Sequence, residues 1–225
     1  MLLSGTLEML LRKAFAELLG SAFLAATVVG SGIMATRLTD DVSLRLLANS
    51  TATGAVLVAL ILALSPVSAA FNPVVTLVER AFGLLTWRET GVYVVAQVLG
   101  CSLGVVVANL MFELSAVDVS STTRGGSGQL IGEVVATLGL VLVVFGVART
   151  RRTAVPYAVG AYIAAAYWFT SSTSFANPAI TLGRTLTSTF AGIDPSCVPA
   201  FIGMQLVGGA LGYGAVRLLH PQESS

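Results

Sequence analysis

The sequence predicts an all-α membrane protein with six transmembrane helices and two re-entrant half-helices, arranged as an inverted repeat. Three observations predict this fold class: an apolar composition, six long apolar runs and an internal duplication. Hydrophobic residues make up 55% of the 225 residues and charged residues only 10%, whereas soluble domains have roughly 25% charged residues. Lipid rather than water is therefore expected around most of the surface.

Six apolar runs are long enough to cross a bilayer, which takes about 20 residues. They cover Phe15 to Ala35, Leu46 to Val67, Val92 to Phe112, Leu130 to Ala148, Tyr157 to Thr173 and Val198 to Leu219. The first run is longer than the apolar core of a signal peptide, so it is interpreted as a span. Two shorter apolar pieces, Val74 to Leu85 and Ala179 to Ala191, are interrupted by charge and are predicted to be re-entrant half-helices.

The basic residues of the short connections predict the orientation of the chain in the membrane. One side would carry Arg12, Lys13, Arg80, Arg88, Arg149, Arg151, Arg152 and Arg217, and the other Arg37, Arg45, Arg124 and Arg184. We therefore expect a multi-pass protein of the cell (inner or plasma) membrane with both termini in the cytoplasm. The cluster at 149–152 is interpreted as a topology signal, with regulation or contact to lipid headgroups left open.

An internal duplication relates the two halves of the chain. The hexad NPVVTL at 72–77 reappears as NPAITL at 177–182, and Glu17 and Gln97 have counterparts in Glu133 and Gln205. Each half holds three spans, and because three is odd the second copy enters the membrane from the opposite face. We expect a single channel domain over 1–225, with inverted repeats at roughly 10–113 and 127–220 and with the two Asn-Pro segments meeting at mid-depth.

The two Asn-Pro segments have the chemistry of helix starts that face a pore. Proline suits the first position of a helix, which makes Asn72 and Asn177 the expected N-caps. If each side-chain oxygen accepts an N–H of the first turn, the NH₂ group is left as a donor with no local partner, and a passing solute would supply the acceptor. The positive helix ends would disfavour cations. The pattern predicts a pore for small neutral solutes.

The acids Glu17 and Glu133 lie inside predicted spans, where ionisable residues are candidates for function. Their symmetric placement favours a structural role, in which each accepts hydrogen bonds from the non-helical backbone of a re-entrant segment. A proton relay stays open. The sequence therefore leaves a proton-coupled secondary transporter as the alternative to a passive channel.

Other function classes find little support. A net charge of +1 without charge runs gives no reason to expect nucleic acid. Cys101 and Cys197 are interpreted as packing residues, and His220 lies in a polar tail, so neither a metal site nor a cofactor is predicted. Without a nucleophile and base constellation, no catalytic residue is predicted and an enzyme is the weakest reading.

At these residues the sequence resembles the aquaporin and aquaglyceroporin channels, the major intrinsic protein family, over nearly its full length. The motifs that carry the resemblance are FNPVVTL, ANPAITL, AELLG, GEVVA, AQVLG and MQLVG. It implies the family's right-handed bundle in a lipid bilayer, a homotetramer with one pore per subunit, and passive conduction without a cofactor. It also implies two Asn-Pro boxes, formed by Asn72, Pro73, Val74, Asn177, Pro178 and Ala179.

Departures from the family pattern concern the constriction of the pore. Val74 replaces the usual alanine of the first box, which should affect packing more than chemistry. The arginine that commonly follows the second box is replaced by Ile180. Counting from the boxes, the filter residues would be Thr53, Ala165, Ser174 and Ile180, a set without aromatic, histidine or arginine. This set predicts a wider constriction, unless Arg184, one helical turn further on, restores a narrow one.

The segment YWFTSSTSFANP at 167–178, followed by Ile180, looks like bacterial channels associated with arsenic resistance. Arsenous acid is a compact neutral triol, so the resemblance implies metalloid acids such as arsenite and glycerol-like polyols as solutes, with water in addition. An ordinary water or glycerol facilitator stays open. Trp168 and Phe169 could equally serve in packing or at the membrane interface.

Overall fold

The computed structural model describes residues 2–221, with side chains from residue 7 onward. Residue 1 and residues 222–225, the ends of the predicted domain, lie outside the described residues. Over 2–221 the chain forms eight α-helices and no strand. In chain order they are α1 (Leu2–Leu38), α2 (Val42–Leu64), α3 (Pro73–Ala81), α4 (Trp87–Met111), α5 (Ser127–Thr150), α6 (Val155–Phe169), α7 (Pro178–Gly183) and α8 (Val198–Leu219).

Five of the helices in the described range are long and apolar enough to cross a bilayer, namely α1, α2, α4, α5 and α8. Large apolar side chains are exposed on their outer faces, for example Phe15, Phe23, Leu103 and Leu211. A helix satisfies its own backbone hydrogen bonds, so such faces can lie against lipid.

The fifth predicted span is shorter than the sequence indicated. Its helix, α6, has 15 residues, which corresponds to about 22 Å, whereas the hydrocarbon core measures about 30 Å. The predicted end at Thr173 is wrong because Thr170 already adopts an extended conformation with ψ of 135°. Thr173 then has a positive φ of 60°. Serine and threonine side chains compete with the helix for backbone hydrogen bonds, and the segment that leaves α6 is rich in both.

The two short helices are also shorter than their predicted runs. α3 ends before Gly83, whose φ of +78° is typical of a helix C-terminus. α7 continues only as a 3₁₀ turn over Arg184–Leu186, and Thr187 is extended with φ of −140°. The predicted ends at Leu85 and Ala191 were therefore too late.

The two halves pack their long helices in the same way. α1 lies along α4 and α5 lies along α8, and these are the most extensive helix contacts among the described residues. A Cβ added at Gly100 would lie 2.3 Å from the Leu18 carbonyl oxygen, and one at Gly208 would lie 2.5 Å from that of Val134. Side chains at these positions would push the backbones apart, so these glycines allow the paired helices to approach closely.

Candidate conduction pathway

The two Asn-Pro boxes start α3 and α7 as predicted. Asn72 Oδ1 accepts a hydrogen bond from Val74 N at 2.9 Å. Asn177 Oδ1 accepts from Ala179 N at 3.0 Å and from Ile180 N at 3.3 Å. Both asparagines have extended backbones, and a proline occupies the first turn of each helix, so they are side-chain N-caps.

The amide groups of the two asparagines join the halves of the chain. Asn72 Nδ2 donates to the Ala176 carbonyl at 2.7 Å, and Asn177 Nδ2 donates to the Phe71 carbonyl at 2.8 Å. We expected that each NH₂ group would have no protein partner. This expectation is wrong for one of its two hydrogens, which is donated to a carbonyl of the other half of the chain. The other hydrogen has no acceptor among the described residues, and both asparagines line a cavity.

The buried acids support the backbone just before each box. Glu17 is fully buried and accepts from Ala70 N at 2.9 Å and from Phe71 N at 2.7 Å. Phe71 has a positive φ of 49°, so this backbone is non-helical and its N–H groups need acceptors at membrane depth. Glu17 has no ion-pair partner among the described side chains. Its contacts match the structural role that the sequence favoured.

The second half repeats this support. Glu133 is fully buried and accepts from Phe175 N and Ala176 N, both at 2.9 Å. Gln205 Nε2 donates to Glu133 at 2.6 Å and to Thr181 Oγ1 at 2.9 Å. Gln97 makes the equivalent bonds in the first half, to Glu17 at 2.7 Å and to Thr76 Oγ1 at 2.8 Å. Each acid therefore ties two long helices to a box.

A cavity runs between the two boxes. Aliphatic side chains of the long helices form much of its wall, including Leu24, Val28, Leu57, Leu140, Val144 and Val159. Polar groups converge on it from both boxes and from α2 and α6, namely Thr53, Asn72, Tyr167, Ser174, Asn177 and Arg184. An apolar wall with a few convergent polar groups is typical of a site for small molecules.

Three of the four predicted filter residues line this cavity. Thr53, Ser174 and Ile180 are all buried and face it. The Thr53 hydroxyl lies 3.2 Å from the Tyr167 hydroxyl. Ser174 Oγ is buried without a hydrogen-bond partner among the described residues, so it can bond to a solute.

The fourth predicted filter residue, Ala165, does not line the cavity. It is exposed on the outside of the bundle, and α6 presents Ile163 and Tyr167 to the cavity instead. Residues four apart share a helix face, whereas a residue two positions away points to the opposite side. Tyr167 is therefore a cavity residue that counting from the boxes does not identify. The signal that could have found it is its spacing of four from Ile163.

Arg184 also lines the cavity, although the predicted filter contained no arginine. Its side chain is only 4% exposed, and its guanidinium carbon lies 3.5 Å from the centre of the Phe175 ring. Arg184 Nε donates to the Ala191 carbonyl. Arg184 therefore faces the cavity, because the 3₁₀ turn after α7 directs its side chain back towards Phe175.

The unusual residue of the first box, Val74, packs into space that a glycine leaves free. Val74 is 2% exposed and does not line the cavity. A Cβ added at Gly209 of α8 would lie only 2.4 Å from Val74 Cγ1. The extra methyl groups of valine therefore affect packing, as expected. Pro73, Pro178 and Ala179 are also buried behind the cavity wall.

Comparison with known proteins decides the family. The profile of the family described as Major intrinsic protein matches residues 5–174. The chain belongs to this family. Major intrinsic proteins are membrane channels, so the chain is a multi-pass channel protein for small solutes and not an enzyme.

Two individual relatives match the chain over a longer range than residues 5–174, so that the second box is included. The aquaglyceroporin AqpS of Rhizobium meliloti (strain 1021) is 50% identical over 214 residues, which cover 94% of this chain and 92% of that protein. Aquaporin NIP1-1 of Zea mays is 30% identical over 216 residues, covering 92% of this chain and 75% of that protein.

A solved major intrinsic protein has the same fold. The X-ray structure of the aquaglyceroporin from Plasmodium falciparum matches with a TM-score of 0.78 and 18% identity, and covers 94% of this chain and 98% of that chain. The predicted fold class, membrane helices with two re-entrant half-helices in an aquaporin-like bundle, is confirmed. α3 and α7 are the half-helices.

Proposed function

We propose that the channel conducts metalloid acids such as arsenous acid together with glycerol-like polyols, passively and with water in addition. The observation that carries the proposal is that Ile180 lines the same cavity as Ser174, whose hydroxyl has no hydrogen-bond partner among the described residues. A polyol needs hydrogen-bond partners on one side and tolerates an apolar wall on the other. The hydrogen-bond partners are the hydroxyls of Ser174 and Thr53 and the free N–H groups of the two asparagines. Ile180 forms part of the apolar wall.

Further support comes from the position of the positive charge. The residue that follows the second box, Ile180, has an aliphatic side chain. The positive charge is instead on Arg184, four residues later, whose guanidinium stacks on Phe175 and donates to the Ala191 carbonyl. The relative AqpS is named an aquaglyceroporin, which agrees with a polyol as one of the solutes of this chain.

We assign the pore boxes to Asn72, Pro73, Val74, Asn177, Pro178 and Ala179, and the constriction to Thr53, Ser174 and Ile180, with Tyr167 and Arg184 in addition. Glu17 and Glu133 brace the loops before the boxes. Their hydrogen bonds to backbone N–H groups favour a passive channel over a proton-coupled transporter, because a proton carrier would have to release these bonds in each cycle.

The assembly follows from the family resemblance and the basic residues. We propose one channel domain with inverted repeats at roughly 10–113 and 127–220, a homotetramer, and a cell-membrane location with both termini in the cytoplasm. The eight-to-four distribution of basic residues between the two sides supports this orientation. Cross-linking of the purified chain should give species up to four subunits, and labels at each end should be reached only from the cytoplasmic side.

Proteoliposome reswelling tests the proposed solutes. Gradients of arsenous acid and of glycerol should each drive reswelling that rises linearly with the gradient and ignores an uncoupler. Ile180→Arg should bring both fluxes close to those of protein-free vesicles while water flux persists, because a guanidinium would occupy the space beside Asn177. Ile180→Val, which keeps an aliphatic wall, serves as the matched control and should conduct like the parent.

Three outcomes would count against the proposal. Glycerol flux without arsenous acid flux would indicate an ordinary water and glycerol facilitator. Saturable uptake that an uncoupler abolishes would indicate a proton-coupled transporter. Unchanged fluxes in Ile180→Arg would remove Ile180 from the constriction.

A further inference from the structure

Two guanidinium groups lie around the ring of Phe175, and one of them, that of Arg184, lines the cavity. The guanidinium carbon of Arg184 lies 3.5 Å from the ring centre, and that of Arg124 lies 5.2 Å from it. Arg124 comes from the connection between α4 and α5, so two distant parts of the chain bring positive charge to the same place. Stacking on an aromatic face favours each cation, but it provides no negative charge.

Carbonyl groups of one short loop hold both arginines in place. Arg184 Nε donates to the Ala191 carbonyl. Arg124 Nε donates to the Gly192 carbonyl at 2.7 Å, and one of its terminal nitrogens donates to the Phe190 carbonyl at 3.1 Å. The terminal nitrogens of Arg184 have no acceptor among the described residues. Four N–H donors are therefore available to a ligand. They belong to a side chain that is 96% buried and lines the cavity.

Neither arginine forms an ion pair with the carboxylates nearby. Glu133, the acid beneath Phe175, is occupied by two backbone N–H groups and Gln205. Asp194, further along the same loop, accepts from Ser196 N at 2.8 Å and from Ser196 Oγ at 2.6 Å. In the described part of the chain the ion pairs are Lys13 with Glu89 and Arg45 with Asp40. Arg184 is a buried cation and Arg124 is a half-buried one beside the same ring. A buried charge without a counter-charge is unfavourable unless an anion joins it.

We infer that Arg184, assisted by Arg124, forms a binding site for a small tetrahedral oxyanion of the phosphate and arsenate class in the cavity beside Phe175. The planar fork of a guanidinium matches two oxygens of such an anion. Hydroxyl groups of the same cavity, those of Ser174 and Tyr167, would meet its remaining oxygens. A spherical anion such as chloride would use the charge but not the fork.

An anion at this site lies in the path of the neutral solutes. Bound phosphate therefore slows glycerol flux, and arsenate, which has the same shape and charge, competes with it. The binding step itself does not depend on which neutral solute the channel conducts. Direct binding and flux are consequently separate measurements, and a failure of the proposed solutes would leave the binding measurement valid.

Calorimetry on the purified full-length chain tests the binding site. Inorganic phosphate, titrated at constant ionic strength with chloride as the reference salt, should bind saturably. Arg184→Gln should weaken phosphate binding by roughly ten- to a hundredfold, the loss expected for a charge-assisted hydrogen bond. Arg152→Gln removes an exposed positive charge elsewhere and should bind phosphate like the parent chain.

The result that overturns the inference is an absence of saturable phosphate binding, or equal affinity in Arg184→Gln and the parent chain. If Arg184→Gln elutes as an aggregate, two other variants decide. Arg184→Lys keeps the charge but loses the fork, and Arg124→Gln removes the second charge, so both should bind phosphate more weakly. Unchanged affinity in both contradicts the site.

Reswelling in glycerol gives the second readout. Phosphate should slow glycerol flux through the parent chain and not through Arg184→Lys, at equal ionic strength. Equal slowing by phosphate and by chloride would show a general salt effect and would exclude an oxyanion site in the path.

Discussion

Replacing Glu133 by glutamine tests whether this acid braces the second box or carries protons. The carboxylate accepts two backbone N–H groups at 2.9 Å and the Gln205 amide at 2.6 Å. Glutamine has one acceptor oxygen, and its NH₂ group would face a donor. A charge-assisted bond is worth about 1.5–3 kcal/mol, so losing two of them costs about 3–6 kcal/mol, which is comparable to the net stability of about 5–15 kcal/mol of a typical protein.

The assay compares folded yield with flux per folded channel. Glu133→Gln should give a lower monodisperse fraction in size-exclusion chromatography and a lower thermal unfolding midpoint in detergent. Molecules that do fold should conduct glycerol without dependence on a proton gradient, which is the behaviour we also expect of the parent chain. Glu113→Gln is the matched control, since it makes the same chemical change at an exposed position and should behave like the parent chain.

The reasoning would be refuted by a stable Glu133→Gln protein that has lost flux. It would also be refuted if uptake by the parent chain followed the proton gradient and the variant no longer did so. Either result would indicate that Glu133 carries protons and does not only accept structural hydrogen bonds.

Two further predictions concern packing and the loop at the arginine end of the cavity. Gly209→Ala should destabilise the chain by about 1–3 kcal/mol through overpacking, because the new Cβ would lie 2.4 Å from Val74 Cγ1. The double variant Gly209→Ala/Val74→Ala should recover much of the lost thermal unfolding midpoint. If the losses of the two single variants simply add in the double variant, this contact is contradicted. Asn109→Ala should raise the susceptibility of the loop to proteolysis, since Asn109 donates to the Ala116 and Leu186 carbonyls at 3.2 and 3.1 Å and accepts from Thr187 Oγ1 at 2.8 Å. Each such hydrogen bond contributes about 0.5–1.5 kcal/mol, and an unchanged digestion rate would argue against that role.

The features that the sequence predicted well are local or repeated. An asparagine before a proline at a helix start has few conformations, so the caps at Asn72 and Asn177 could be inferred without a structure. The duplication gave Glu17 and Glu133 equivalent surroundings, and that equivalence pointed to their bonds with the backbone. Helix existence followed from the long apolar runs in the same way.

The features that were missed depend on where the chain goes after a helix ends. Counting from the boxes selects Ala165, and a difference of two positions on α6 separates the cavity face from the outside of the bundle. Arg184 lines the cavity because a 3₁₀ turn follows α7, and a turn of that kind has no clear signal in the sequence. The crossed amide bonds of the asparagines join residues more than a hundred positions apart, so local patterns carry no information about them.

The crossed amide bonds also have a consequence for biosynthesis. Asn72 donates to Ala176, which lies 104 residues later. At a synthesis rate of about 5–20 residues per second, that interval lasts roughly 5–20 s. During this time the first half of the chain is already in the translocation machinery while the amide that will hold its box has no final partner. The first box can therefore mature only after the ribosome has delivered the second, and a chain truncated between them would expose an unsatisfied polar loop to quality control.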